Sequence, residues 1–255
     1  MVVLHRIAKR AVSMIPGGTA GSVLGVHVFH CPAEIGAVGG QDAVGIVAKL
    51  SECIASRGGN IHSVDVFVPE KKQVFYSRSE FVFDPARWPR DVVDNDFNKI
   101  SKLFSAEKSV VRVPDLDPKF KIAVLASKQE HCLVDLLYRW QEGRLPVDIS
   151  CVISNHQRAP NTHVALFLER HGIPYHHLPT SAGNTREAEI LELVEDTDFL
   201  VLARYMQVER VSHRDTLKSF VQKSENLEKQ CLTQAIKSYC ELRVLPYQVN
   251  KTVVF

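Results

Sequence analysis

Three short runs in the second half of the chain, Ile122-Ala-Val-Leu-Ala126, Ile149-Ser-Cys-Val-Ile153 and Phe199-Leu-Val-Leu-Ala203, are apolar at nearly every position. A strand that alternates hides one face, whereas a strand apolar throughout must hide both. In a water-soluble chain that requires a parallel sheet with helices on either side. The segments between the runs supply those helices: Leu133, Leu136, Leu137 and Trp140 share one helical face, as do Val164, Phe167, Leu168 and His171, and then Ile190, Leu191 and Val194. A short strand over 173–178 completes the alternation. In such sheets ligands bind beyond the carboxyl ends of the strands, which here carry Ser127-Lys-Gln-Glu-His131, Ser154-Asn155-His156 and Arg204-Tyr-Met-Gln207. No glycine-rich phosphate cradle follows the first run, so a dinucleotide or nucleoside triphosphate is disfavoured.

The first half obeys a different grammar, and Pro114-Asp-Leu-Asp-Pro118 separates the two. Val26–Cys31 has strand composition. Asp42 stands as an N-cap before Val44, Val47, Leu50 and Ile54 on one helical face, and Gly58-Gly59-Asn60 ends that helix. Residues 61–68 and 74–83 read as an antiparallel pair across Pro69-Glu-Lys-Lys72. Val93, Phe97, Ile100 and Phe104 mark a second helix, and 110–113 a last strand. The order βαββαβ is that of a ferredoxin-like sheet, helices on one face and the other face open to a partner or ligand.

Composition narrows the function classes. Thirty-one Lys and Arg against 29 Asp and Glu give +2, too even for nucleic acid or an anionic membrane to be held by charge alone. No apolar run approaches the roughly 18 to 20 residues of a membrane span. Six cysteines at long intervals, without Cys-x-x-Cys, read as reduced thiols. The first 23 residues contain Arg6, Lys9 and Arg10 and no acid, with Ile7, Ala8 and Ala11 on one helical face, and resemble an organelle transit peptide. Mitochondria are the expected destination, a plastid the alternative.

Two resemblances give these domains families. Asp42-Ala-Val-Gly-Ile-Val47 with Ala55-Ser-Arg-Gly-Gly-Asn-Ile61 is similar to an ACT domain, placed at 24–117, whose helix start and preceding loop bind amino acids; Asp42, Ala43, Val44 and Gly45 occupy that position. The segments Val124-Leu-Ala-Ser-Lys128, His131-Cys-Leu-Val-Asp-Leu-Leu137, Val152-Ile-Ser-Asn-His-Gln-Arg-Ala-Pro-Asn161, His171-Gly-Ile-Pro-Tyr175 and Asp198-Phe-Leu-Val-Leu-Ala-Arg-Tyr-Met-Gln207 closely resemble formyltetrahydrofolate deformylase. That family joins an ACT domain to a formyltransferase-type domain, here 119–255, and hydrolyses 10-formyltetrahydrofolate to tetrahydrofolate and formate. The resemblance implies a folate substrate held at Arg204, Tyr205, Met206 and Gln207, with Ser127, Lys128, His131 and Asn155 on the pocket rim. It further implies no cofactor, no metal, a homo-oligomer formed through the ACT sheet, and an amino-acid effector at the ACT loop.

The chain departs from the family pattern twice. Nine residues, Ala33–Gln41, are interposed between the first strand and the first helix. After Gln207, Val208-Glu-Arg-Val-Ser-His-Arg214 resembles sequence that the family places several dozen residues further on. By resemblance, the lost segment carries the Asn and His that polarise the formyl oxygen and the Asp that positions water; none has a matching position here, so no catalytic residue is assigned. Two functions therefore remain: a one-carbon hydrolase by family, and a catalytically silent folate-binding or dimerising remnant. The tail places Leu217, Phe220, Val221, Ser224, Leu227, Cys231, Ala235, Tyr239 and Leu242 on one helical stripe, followed by the terminal strand Lys251–Phe255.

Weaker constellations have bland alternatives. His156, His163, His171, His176 and His177 lack zinc-site spacing and read as loop and surface histidines. Cys132, beside a helix start, is either a low-pKa thiol or a small buried side chain.

Overall fold

A computed structural model of the protein describes residues 22–32, 45–68, 74–179, 185–203, 217–248 and 251–255. The transit-like start up to residue 21, the interposed segment, Asp42, Ala43 and Val44, and Arg204 to Gln207 lie outside the described residues. The chain forms two compact units.

The first unit contains β1 (Val23–Pro32), α1 (Ile46–Ser56), β2 (Asn60–Phe67), β3 (Val74–Phe83), α2 (Arg90–Leu103) and β4 (Lys108–Arg112). Its sheet runs β2-β3-β1-β4, all antiparallel, the ferredoxin-like order that βαββαβ demands. Phe29 and Phe81 from the sheet, Ile46, Leu50 and Ile54 from α1, and Val93, Phe97 and Ile100 from α2 close the core. At its centre the Trp88 ring lies edge-on to Phe83 at 5.3 Å, tilted to Phe81 at 5.7 Å and stacked with Phe97 at 5.8 Å, separations in the range that aromatic pairs prefer.

Helix α1 differs from its expected register. It begins at Ile46, with Gly45 rather than Asp42 at the N-cap, and Val47 is exposed while Ile46 turns inward. Gly45 has φ 100°, and a Cβ there would meet nothing within 4 Å, so the glycine serves backbone conformation and not helix packing. The helix ends as expected: Gly58 takes φ 77°, and a Cβ on Gly59 would strike Ile54 at 2.7 Å.

His27 sits on the helix side of β1, fully buried, stacked on Phe97 at 4.1 Å and bonded through Nε2 to Ser109 Oγ at 2.9 Å. Burial pushes its pKa down to about 3. The unfolded chain binds this proton near pH 6.5 and the folded unit does not. Stability from this group is therefore complete above pH 6.5 and falls below it, by about 1.4 kcal/mol per pH unit. Between pH 6.5 and 5 the unit should lose about 2 kcal/mol through His27, and His27→Gln should flatten that slope. The chain has two tryptophans, Trp88 here and Trp140 in the other unit. Urea unfolding followed by Trp88 fluorescence in a Trp140→Phe background measures the effect; an unchanged slope in His27→Gln would remove His27 as its source.

The second unit alternates β5 (Phe120–Ala126), α3 (His131–Gln141), β6 (Val147–Ser154), α4 (His163–Arg170), β7 (Tyr175–His177), α5 (Thr185–Leu193) and β8 (Phe199–Leu202), then the 24-residue α6 (Leu217–Cys240). Its sheet is parallel, ordered β7-β6-β5-β8. Both faces are covered, as the continuous apolar runs require. Ile122, Val124, Val152 and Val201 meet α3, α4 and α6 on one face, while Ala123, Cys151 and Ile153 meet Ile190, Leu193 and Val194 on the other. On α5, Leu191 is exposed and Leu193 takes its expected place. On α6 the inward positions are Leu232, Ile236, Tyr239 and Cys240, while Leu227 and Cys231 of the expected stripe face outward.

At the C-terminus the expected terminal strand forms, while its partner strand and its membership depart from expectation. Residues 244–254 form a hairpin, β9 (Val244–Gln248) with β10 (Lys251–Val254), and residues 241–255 belong to the ferredoxin-like unit instead of to a domain running from 119 to 255. Leu245, Leu242 and Phe255 pack against Val28, Tyr76, Phe67 and Val74. The face of the four-stranded sheet that the pattern left open is thus covered by the chain's own tail.

Candidate functional site at the strand ends

Strands β5 and β6 end side by side, Ala126 opposite Ser154, so the loops after them diverge from one point and Ser127 and Asn155 stand on neighbouring strand ends. Lys128 follows, exposed. Ala203 holds β8 at the same edge by donating its N–H to Leu125 O at 2.8 Å. Of the expected site residues, the structure gathers Ser127, Lys128 and Asn155 on this edge. His131 belongs to a different arrangement: it opens α3 and its Nε2 lies 2.5 Å from Glu228 Oε2 on α6.

Arg158 organises the edge, a role that its place within the Val152–Asn161 segment does not by itself reveal. Its guanidinium donates to Ser127 O at 3.0 Å, pairs with Glu130 and lies over the Tyr175 ring at 5.8 Å, with only 7% of the side chain exposed. Tyr175 in turn donates its hydroxyl to His156 O at 2.6 Å, and His156 N–H donates to Ser154 Oγ at 3.1 Å. A charged clamp therefore ties the β5 loop to the β6 loop and to β7. Ser127 Oγ and Arg158 Nε are buried without a hydrogen-bond partner, polar groups that a ligand or water at the sheet edge would satisfy. The signal for Arg158 and Tyr175 is three-dimensional, since 17 positions separate them.

The remaining candidates resolve toward their bland readings. Burial first, and then the Glu228 carboxylate, push the Cys132 thiol up to about 12, the opposite direction from a low-pKa thiol at the helix start. His163 bonds the Tyr138 hydroxyl at 2.8 Å and His171 packs against Phe167 and Trp140. Among the described residues, His156, His163, His171, His176 and His177 form no ligand group, and all six cysteines are free thiols. No described helix is long and apolar enough to cross a membrane.

A doubly covered parallel sheet with its polar edge at the strand ends, carried in one chain with a ferredoxin-like unit, defines a two-unit α/β protein of the formyltransferase type. A solved formyltetrahydrofolate deformylase from Pseudomonas syringae pv. tomato superposes with a TM-score of 0.73 at 27% identity, covering 92% of this chain and 94% of that one. Two Arabidopsis thaliana proteins, formyltetrahydrofolate deformylases 1 and 2, both mitochondrial, are 56% and 55% identical over 293 residues, covering 91% of this chain and 88% and 87% of their own lengths. No family model matches. The chain belongs to the formyltetrahydrofolate deformylase family.

Proposed function

We propose that this chain carries the folate-binding framework of a 10-formyltetrahydrofolate hydrolase, which yields tetrahydrofolate and formate, but in its 255-residue form lacks the groups that perform the chemistry. One observation carries the reading. The aligned span with the Arabidopsis relative, 293 residues, exceeds the whole 255-residue chain while including 91% of it. Dozens of the relative's residues therefore have no counterpart here, in agreement with the discontinuity after Gln207. On this reading Arg204 to Gln207 and the edge formed by Ser127, Lys128 and Asn155 receive the pterin, and folate is substrate rather than cofactor. Product formation is tested by formate release from the chain with and without the missing segment. The second reading, a silent folate-binding or dimerising remnant, is favoured by the same gap; it predicts folate affinity without turnover.

The finer assignments belong to the same proposal. The ferredoxin-like unit acts as an ACT module with an amino-acid effector at Asp42, Ala43, Val44 and Gly45. The protein is a homo-oligomer, and its place is the one-carbon supply on which purine synthesis draws. With the hairpin over one sheet face, association is expected along the β2 edge, where Val64, Val66 and Val68 are exposed.

Location follows from the acid-free, basic start and from the mitochondrial names of the Arabidopsis relatives. A fluorescent protein fused behind residues 1 to 40 is expected in mitochondria. Diffuse cytosolic signal would refute the targeting, and plastid signal would move the assignment to the alternative organelle.

A further inference from the structure

We propose that His131, Cys132 and Glu228 form a binding site for one divalent transition-metal ion of the zinc class, with Glu225 orienting the imidazole from behind. The site rests on no part of the deformylase reading. His131 and Cys132 are the first two residues of α3, and Glu228 lies 97 positions after His131, on α6. The two helices share one apolar core through Leu133, Leu137, Leu232 and Ile236, so packing fixes the approach of the three side chains. One donor atom from each lies within 4.8 Å of the others. Nε2 of His131 is 2.5 Å from Glu228 Oε2, and Sγ of Cys132 is 3.6 Å from the same oxygen. The His131 and Glu228 side chains are 15% and 13% exposed and Cys132 is buried at 3%.

Imidazole nitrogen, thiolate sulfur and carboxylate oxygen are the three ligand types zinc accepts, and three protein ligands leave a fourth tetrahedral position open. Metal-ligand bonds of about 2.0 to 2.3 Å at tetrahedral angles place donor atoms roughly 3.3 to 3.7 Å apart. The sulfur–oxygen separation already has that value. The nitrogen–oxygen pair must open by about 1 Å, within reach of a rotation of the Glu228 side chain. A metal-bound histidine ordinarily faces a carboxylate with its other nitrogen, and Nδ1 of His131 stands 4.0 Å from Glu225 Oε1, one helical turn before Glu228. An imidazole–carboxylate hydrogen bond and an S–H bond to the same oxygen account for the two contacts separately. A shared ion accounts for all three donors meeting at one point with a second carboxylate behind the ring. Binding releases the Cys132 thiol proton, and any proton held between His131 and Glu228, to solvent. The set has no signature in the sequence because 97 positions separate Glu228 from His131.

Cobalt(II), a spectroscopic stand-in for zinc, tests the site on the chelator-treated 255-residue protein. One equivalent should bind with the visible bands of a four-coordinate ion and a near-ultraviolet thiolate-to-cobalt charge-transfer band. Cys132→Ser should abolish the charge-transfer band, Glu228→Gln should weaken binding at least tenfold, and Glu225→Gln should weaken it by about 10- to 100-fold. Cys231→Ser, which removes the exposed thiol on α6, should change nothing. Circular dichroism of each metal-free variant establishes that it folds; if Cys132→Ser does not, undiminished cobalt affinity in Glu228→Gln and His131→Gln overturns the proposal by itself. A wild-type protein without the charge-transfer band, a band that survives Cys132→Ser, or a band lost in Cys231→Ser also overturns it.

Discussion

Restoring the missing segment after Gln207, taken from an Arabidopsis relative, should raise formate release from 10-formyltetrahydrofolate by on the order of a hundred- to ten-thousand-fold over the 255-residue chain. The lower bound is the usual worth of one group that acts in the transition state. Here three groups and the strand positioning one of them are missing together by family resemblance, and such groups fail as a unit, so their effects do not multiply. Among the described residues near the sheet edge, the Arg158 guanidinium and the His131 imidazole are engaged elsewhere. Arg158 is engaged with Ser127 O and Glu130, and His131 is engaged with Glu228. His156 offers its backbone to Tyr175 and Ser154 and has no Asn-like partner among these contacts to share a formyl oxygen. Calorimetric folate binding, measured on both proteins, tests the framework: affinity without turnover is the expected result for the short chain, and no affinity would leave only a dimerising remnant. Equal turnover by both chains would mean that the catalytic groups lie within the 255 residues and that the gap has been misread.

Much of the fold is legible in the pattern because burial on one face or two leaves different signatures. Alternation in the first half and unbroken apolar runs in the second separate an antiparallel sheet from a parallel one, and both sheets form as expected. The errors fall where local chemistry offers near-equivalent choices. Asp42 is the better capping side chain, yet the helix starts after Gly45, where positive φ is free of a Cβ cost. On α6, apolar and small residues are spread around the helix, so its inward face is decided by the partner, and Leu227 with Cys231 face outward. The terminal strand is legible as an apolar run, but its pairing with 244–248 and its docking are not, since Arg243 and Leu245 have meaning only against β3 and β1, more than 160 residues away. At the strand ends, the positions of Ser127 and Asn155 are legible because each follows an apolar run, whereas Arg158 and Tyr175 emerge only when β6 and β7 lie side by side.

The C-terminal hairpin is fastened by charge as well as by Leu245, and the fastening makes Arg78 the residue of the ferredoxin-like unit whose loss should cost the most among its charged side chains. Arg78 lies on β3 with 1% of its side chain exposed. Its Nε and Nη2 donate to Glu241 O at 3.1 and 3.0 Å, and Nη2 pairs with Glu80 Oε1 at 2.6 Å, while Asp65 stands 4.0 Å from Nη1. Arg243 reaches the same Glu80 oxygen at 2.8 Å. Burial by itself raises the Glu80 carboxyl, but the bond to Arg78 and the charges of Arg78 and Arg243 outweigh it and hold the group below its usual range. Replacing Arg78 by Met keeps much of the volume but leaves the Glu241 carbonyl without these donors and Glu80 with one cation in place of two. Breaking a buried pair from one side costs about 3 to 5 kcal/mol, and Arg243 retained on Glu80 argues for the lower end. Trp88 fluorescence in the Trp140→Phe background should record that loss, and Arg78→Met combined with Glu80→Gln should recover part of it, because the second change removes the stranded charge. An Arg78→Met cost below about 1 kcal/mol, the worth of an exposed ion pair, would show that the hairpin is held by Leu242, Leu245 and Phe255 alone.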